Sequence, residues 1–129
     1  MDIGIKGRVE TVVDSSNTAK FAGSGELEVF STPSMVALME QAAQSSVAPC
    51  LEDGQGTVGT KLSISHDAAS PLGMRVWAES VLTECDGRRL VFEVKAYDEA
   101  GLIGQGTHER FIIYNERFLA RVNAKKVQK

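Results

Sequence analysis

The chain has two histidines, and the first, His66, closes the alternating stretch VGTKLSISH over residues 58–66. Val58, Thr60, Leu62 and Ile64 alternate with Gly59, Lys61, Ser63 and Ser65, the period of a strand with one covered face. His66 continues the parity of the covered residues, so its imidazole is either a hydrogen-bonded core group or an acid–base group. Glu40, within MVALMEQAA, sits at the margin of a helical apolar arc beside Val36 and Val47. A carboxylate there either reaches water or a basic partner, or acts as a base or nucleophile. Thr32 stands before Pro33 and suits a helix N-cap, which alone would explain it. His108 and Arg110, in GTHERF, share a parity and leave one face of the last strand. Arg110 among apolar neighbours needs an anion, either a carboxylate or a ligand phosphate or carbonyl. Gly59 lets another group approach the backbone closely.

The elements that position these residues follow from periodicity. A first strand lies near residues 4–13, where Ile5, Gly7, Val9, Thr11 and Val13 oppose Lys6, Arg8 and Glu10. DSSNTAKFAGSGELEVF is a polar, glycine-containing loop with some extended structure at its end. STPSMVALMEQAAQSSVAPC is the one long helix, with Met35, Met39, Ala42, Ala43, Ser46 and Cys50 on one arc and Val36, Leu38 and Val47 at its margins. Such a helix must be largely covered, and its small residues suit close approach by a sheet or a second chain. Strands follow over about 57–66 and 73–85, with Met74, Val76, Ala78 and Leu82 on one face of the latter. The Asp-Gly turn of CDGRR leads into RRLVFEVKAYD, and DEAG turns into LIGQGTHERFIIYN. One helix against a long antiparallel sheet is an α+β fold of a size that suits the hotdog architecture, about five strands wrapped round a central helix, in a single domain over 1–129.

Composition narrows the function classes. A net charge of −3 argues against a general nucleic-acid or anionic-membrane surface. The longest apolar runs fall far short of the roughly 20 residues that cross a bilayer. The polar, alternating MDIGIKGRVE is neither a signal nor a transit peptide. Cys50 and Cys85 lie in no CxxC or His-rich cluster, which fits two reduced thiols in a cytoplasmic protein with no metal site. In the tail, Arg117, Arg121, Lys125 and Lys129 recur every fourth residue and Lys126 joins them, forming a solvated terminal face or a phosphate-contacting patch.

STPSMVALMEQAA, VGTKLSISHDAASPLGMRV, DGRRLVFEVKAYD and GQGTHERFIIYNERF together resemble the fluoroacetyl-CoA thioesterase family of hotdog enzymes, from about residue 29 to about residue 123. The resemblance implies a catalytic set of Thr32, Glu40 and His66, with Gly59 and Arg110 contacting substrate. It also implies a short-chain acyl-CoA, such as a substituted acetyl-CoA, hydrolysed to free acid and CoA, with no metal or cofactor and a homodimeric assembly. The segment before the threonine departs from the family's aromatic-rich, Pro-containing lid. Here NTAKFAGSGELEVF is shorter and holds only Phe21 and Phe30, so the resemblance does not extend to fluoroacetyl selectivity.

If residues 32–40 are all helical, Thr32 and Glu40 stand about 12 Å apart along the axis. Either the chain before Met35 folds back or one member of the set comes from a partner subunit, and the latter fits an active site at a dimer interface. A backbone N–H near Gly59 is the expected oxyanion donor. Glu40 attacks the carbonyl or activates water, His66 moves protons, and Thr32 orients one of these groups. Arg88, Arg89, Arg117, Arg121 and Lys125 are the candidates for CoA phosphates. The competing reading is a non-catalytic hotdog protein that binds acyl-CoA or a small acyl ligand. A hotdog hydratase is a third reading, but it lacks an Asp/His pairing near the helix start.

Overall fold

Ser31, not Thr32, caps the long helix. The computed structural model describes residues 1–127. In it the Ser31 hydroxyl accepts the Ser34 N–H at 3.1 Å, and helix α2 runs Thr32–Val47. Thr32 and Pro33 occupy its first two positions, where a missing proline N–H costs nothing. The Thr32 hydroxyl is thereby left for another partner. Met35, Leu38, Met39, Ala42, Ala43 and Val47 are buried, as the helical period requires. Cys50, expected on this arc, is exposed instead, because α2 gives way to a tight turn over Ala48–Cys50 that contains Pro49.

Five antiparallel strands wrap the helix: β1 (Lys6–Val12), β2 (Gln55–His66), β3 (Arg75–Asp86), β4 (Arg89–Asp98) and β5 (Gly101–Tyr114), in the order β1-β3-β4-β5-β2. A short helix, α1 (Ala19–Ala22), lies in the loop before α2, and a terminal helix, α3 (Asn115–Asn123), follows β5. Neither helix was expected, although the fourfold spacing of Arg117 and Arg121 has the period of α3. Lys129 lies outside the described residues.

The concave face of the sheet carries Val76, Ala78 and Leu82 of β3 and Leu90, Phe92, Val94 and Ala96 of β4, all fully buried. Glycines let the backbones close on α2. A side chain at Gly7 would collide with the Ala42 carbonyl of the helix, and one at Gly104 would lie 2.8 Å from the Met35 sulfur.

The feature that matters most for the site is a bulge in β2. Gly59 pairs with Arg110 and Lys61 with Glu109, so Thr60 has no opposite residue. Uninterrupted alternation would group Val58 and Thr60 with His66. The bulge shifts the parity, and Thr57 and Gly59 instead share the concave face with Leu62, Ile64 and His66, opposite the buried His108 and Arg110. The parity of His66 holds; that of Val58 and Thr60 does not.

Gly7→Ala drives a methyl group into helix backbone that cannot swing aside. We expect a loss of about 1–3 kcal/mol in stability, seen as a lower thermal midpoint and urea midpoint with an unchanged m-value.

Candidate active site

Two clusters of functional side chains sit at opposite ends of the first half of α2. At the N-terminus, the hydroxyl freed by the Ser31 cap meets the end of β2: Thr32 Oγ1 lies 2.7 Å from His66 Nδ1. Thr32 is the exposed member of this pair, and His66 Nε2 is enclosed with no hydrogen-bond partner among the described residues. The pair opens on a cavity of about 340 Å³. Its other walls include Ala19, Val29 and Phe30 from the loop before the helix and Asp67 beyond the strand. The segment that stands in place of the family's lid therefore borders the cavity. Phe21, however, is absent from its wall and is 69% exposed.

Two turns along the helix, Glu40 leaves α2 toward β5. Its Oε2 lies 3.5 Å from Arg110 Nη1 and 4.0 Å from His108 Nε2, with a side chain 41% exposed. The anion that Arg110 needs is thus a carboxylate of the same chain. Gly59 faces this carboxylate directly: a Cβ there would lie 2.7 Å from Glu40 Oε2 and 3.3 Å from Arg110 Nη1. The close approach anticipated for Gly59 is that of Glu40.

Arg110 is only 8% exposed and every edge of its guanidinium is engaged. Nε donates to Thr57 Oγ1 at 2.9 Å, Nη2 to the Thr57 carbonyl at 3.0 Å, and Nη1 to His108 Nε2 at 3.1 Å. That last bond assigns the tautomer. Since Nε2 accepts from a guanidinium, the proton sits on Nδ1, which donates to the Lys61 carbonyl at 2.9 Å. Burial pushes the His108 pKa below its ordinary value, and the positive charge of Arg110 adds to the effect. Burial also lowers the Arg110 pKa, with Glu40 opposing the shift.

The structure therefore brings Thr32 to His66, and Glu40 to Gly59 and Arg110, but not the two sets to each other. Thr32 is helical, so no fold-back shortens the spacing of about 12 Å between it and Glu40. Sequence reasoning noticed His108 without placing it in the site, and it missed Thr57, because the bulge at Thr60 hides the face on which Thr57 lies.

The chain and fold that carry this arrangement have counterparts in known proteins. The family model for the fluoroacetyl-CoA-specific thioesterase matches residues 13–116. The chain belongs to that family. It is 46% identical over 98 residues to the fluoroacetyl-CoA thioesterase of Streptantibioticus cattleyicolor, a match spanning 76% of this chain and 70% of that protein. A crystal structure of a variant of the fluoroacetyl-CoA-specific thioesterase in complex with fluoroacetate and CoA superposes with a TM-score of 0.86. That match has 38% identity and covers 92% of this chain and 99% of the other. A hot-dog-like protein from Thermanaerovibrio acidaminovorans gives a TM-score of 0.91 at 25% identity, over 100% of this chain and 96% of that one. As a member of the fluoroacetyl-CoA-specific thioesterase family, the chain has the hotdog fold and is a thioester hydrolase.

Two predictions follow from the Arg110 cluster. Arg110→Lys keeps the charge but cannot reproduce the fork to Thr57, His108 and Glu40. It should cost about 2–3 kcal/mol in stability by chemical denaturation and reduce turnover more than it raises KM. The second concerns pH. His108 takes a proton less readily folded than unfolded, so its contribution to stability is full above the ordinary histidine value of 6.5 and is lost as pH falls below it. His108→Gln retains an acceptor for Arg110 and should flatten the fall in thermal midpoint between about pH 7 and pH 5. An equally steep fall in the variant would assign that pH dependence to other groups.

Proposed function

We propose that this protein hydrolyses a short-chain acyl-CoA, such as a substituted acetyl-CoA, to the free acid and CoA, as a homodimer with two composite sites. The observation that carries the reading is the 2.7 Å contact of Thr32 Oγ1 with His66 Nδ1 at the rim of a cavity, while Glu40 stands apart with Arg110. Support for the dimer comes from β2. It is an edge strand whose outer side has no partner among the described residues, and its bulge sets Gly59 and His66 on one face. An antiparallel two-fold contact centred on Ser63 would carry the Thr32–His66 pair of one subunit toward Glu40 of the partner subunit.

In such a site the thioester carbonyl lies between the two sets. Glu40 takes a proton from water as the water oxygen bonds to the carbonyl carbon, and a backbone N–H at the Gly59 bulge holds the developing oxyanion. As the tetrahedral species collapses, the carbon–sulfur bond breaks. Thr32, the exposed member of its pair, gives its hydroxyl proton to the departing thiolate, and His66 Nδ1 restores it. The proton on Glu40 passes through solvent to His66, so both groups are restored and the balance is thioester plus water to acid plus thiol. No metal or other cofactor enters this scheme. With two unpaired cysteines, the cytoplasm suits the protein.

The test is thiol release from a panel of acyl-CoAs. Glu40→Ala and His66→Ala should each lower kcat by about 10²–10⁴. Mixing Thr32→Ala and Glu40→Ala subunits should then restore about a quarter of wild-type activity, because half of the dimers are hybrids with one intact site of two. Absence of recovery in hybrids shown to form would refute the composite site. No release from any thioester by the wild type would leave an acyl-binding protein. An acyl adduct on Thr32 in a quenched single turnover would make Thr32, not water, the nucleophile.

A further inference from the structure

Three of the arginines outside the hydrolytic machinery just described converge. Arg88, from the turn between β3 and β4, and Arg117 and Arg121, one turn apart on α3, line a shallow cavity of about 70 Å³ floored by Ile113, Tyr114 and Phe118. Arg89, next to Arg88 in sequence, is engaged elsewhere: its guanidinium meets Glu109 at 2.9 Å and Glu84 at 3.2 Å. Among the described residues, no carboxylate lies within 4.0 Å of Arg88, Arg117 or Arg121. Like charges at the i and i+4 positions of a helix oppose helix formation, so such a pair is unfavourable without an anion. Arg117 is held over the Tyr114 ring, 5.3 Å from its centroid, which restrains the guanidinium at the cavity edge.

We propose that this cavity receives a phosphate of the CoA nucleotide, with Arg88, Arg117 and Arg121 as its ligands. The proposal rests on the acyl-CoA reading above and specifies where the far end of that substrate is held. Location supports it. Tyr114 lies four residues beyond Arg110 on β5, about 13 Å along the strand. The pantetheine arm of CoA separates the thioester from the phosphates, so their site must stand away from the reacting carbonyl. The protein is acidic overall, with a net charge of −3, so a local cluster of cations is needed to hold a polyanion. Guanidinium forks match phosphate oxygens in geometry as well as charge. The structure also selects among the five cations that the sequence offered. It groups Arg88, Arg117 and Arg121 and withdraws Arg89, while Lys125 does not line the cavity.

Calorimetric titration with CoA, dephospho-CoA and pantetheine tests this directly and needs no turnover. Arg117→Ala and Arg121→Ala should each raise the Kd for CoA roughly tenfold, and the difference from wild type should shrink as salt is raised. Pantetheine, which lacks the nucleotide, should bind wild type and variants alike. Arg121→Lys should recover part of the loss, separating lost charge from a disturbed helix. In turnover, the same variants should raise KM for an acyl-CoA with kcat unchanged and leave the acyl-pantetheine thioester unaffected. Equal CoA affinity in wild type and both alanine variants, or no CoA binding by the wild type, would overturn the proposal. A wild type that binds CoA but releases no thiol would overturn only the hydrolytic reading. A Kd raised for CoA but not for dephospho-CoA would identify the 3′-phosphate as the group held.

Discussion

Burial of α2 in the concave face of the sheet is the constraint on which the rest depends. A helix covered by β-strands cannot bend to bring distant residues together, because Met35, Met39, Ala42, Ala43 and Val47 are fully enclosed and any bend would open the core. Gly7 and Gly104 remove the side chains that would hold the sheet off the helix. Once the axis is set, Thr32 and Glu40 are rigidly separated, one at the helix start and one two turns along it. The division of the candidate site into two clusters is thus a consequence of how the core is packed.

Each cluster is then completed by β2 and its neighbour. The strand ends with His66 beside Thr32 and passes Gly59 beneath Glu40, and both contacts require the same face of one strand. An unbulged strand cannot provide that, since residues 59 and 66 have opposite parity. The extra residue at Thr60 resolves the conflict, and it does so next to the buried Arg110, whose fork closes on Thr57. Bulges are common where a strand must re-aim a side chain, and here one bulge aligns two sites.

The Arg110 cluster shows how an ion pair is kept near the interior. Its cation is nearly enclosed, whereas its carboxylate partner is well exposed. A neutral His108, fixed through the Lys61 carbonyl, supplies the acceptor that Glu40 does not. This leaves the Glu40 carboxylate facing outward at the edge of the fold, anchored on one side and open on the other.

The sequence alone determined the large features. Alternation defined the five strands, the 3.6-residue period and small residues marked one covered helix, and the Asp-Gly turn gave the β3–β4 hairpin, because these signals are local and repeat along the chain. It also named Thr32, Glu40, His66, Gly59 and Arg110 and bounded the distance between Thr32 and Glu40. What it could not decide were contacts between residues far apart in the chain. Only the folded chain shows that Ser31 caps the helix and releases Thr32 to His66, that the Arg110 counter-ion is Glu40, that Thr57 and His108 complete the cluster, and that Arg88 joins Arg117 and Arg121. A single unpaired residue in β2 leaves almost no mark on its hydrophobic pattern, yet it reverses every side chain before it. Register is a property of two strands, and one strand read alone does not contain it.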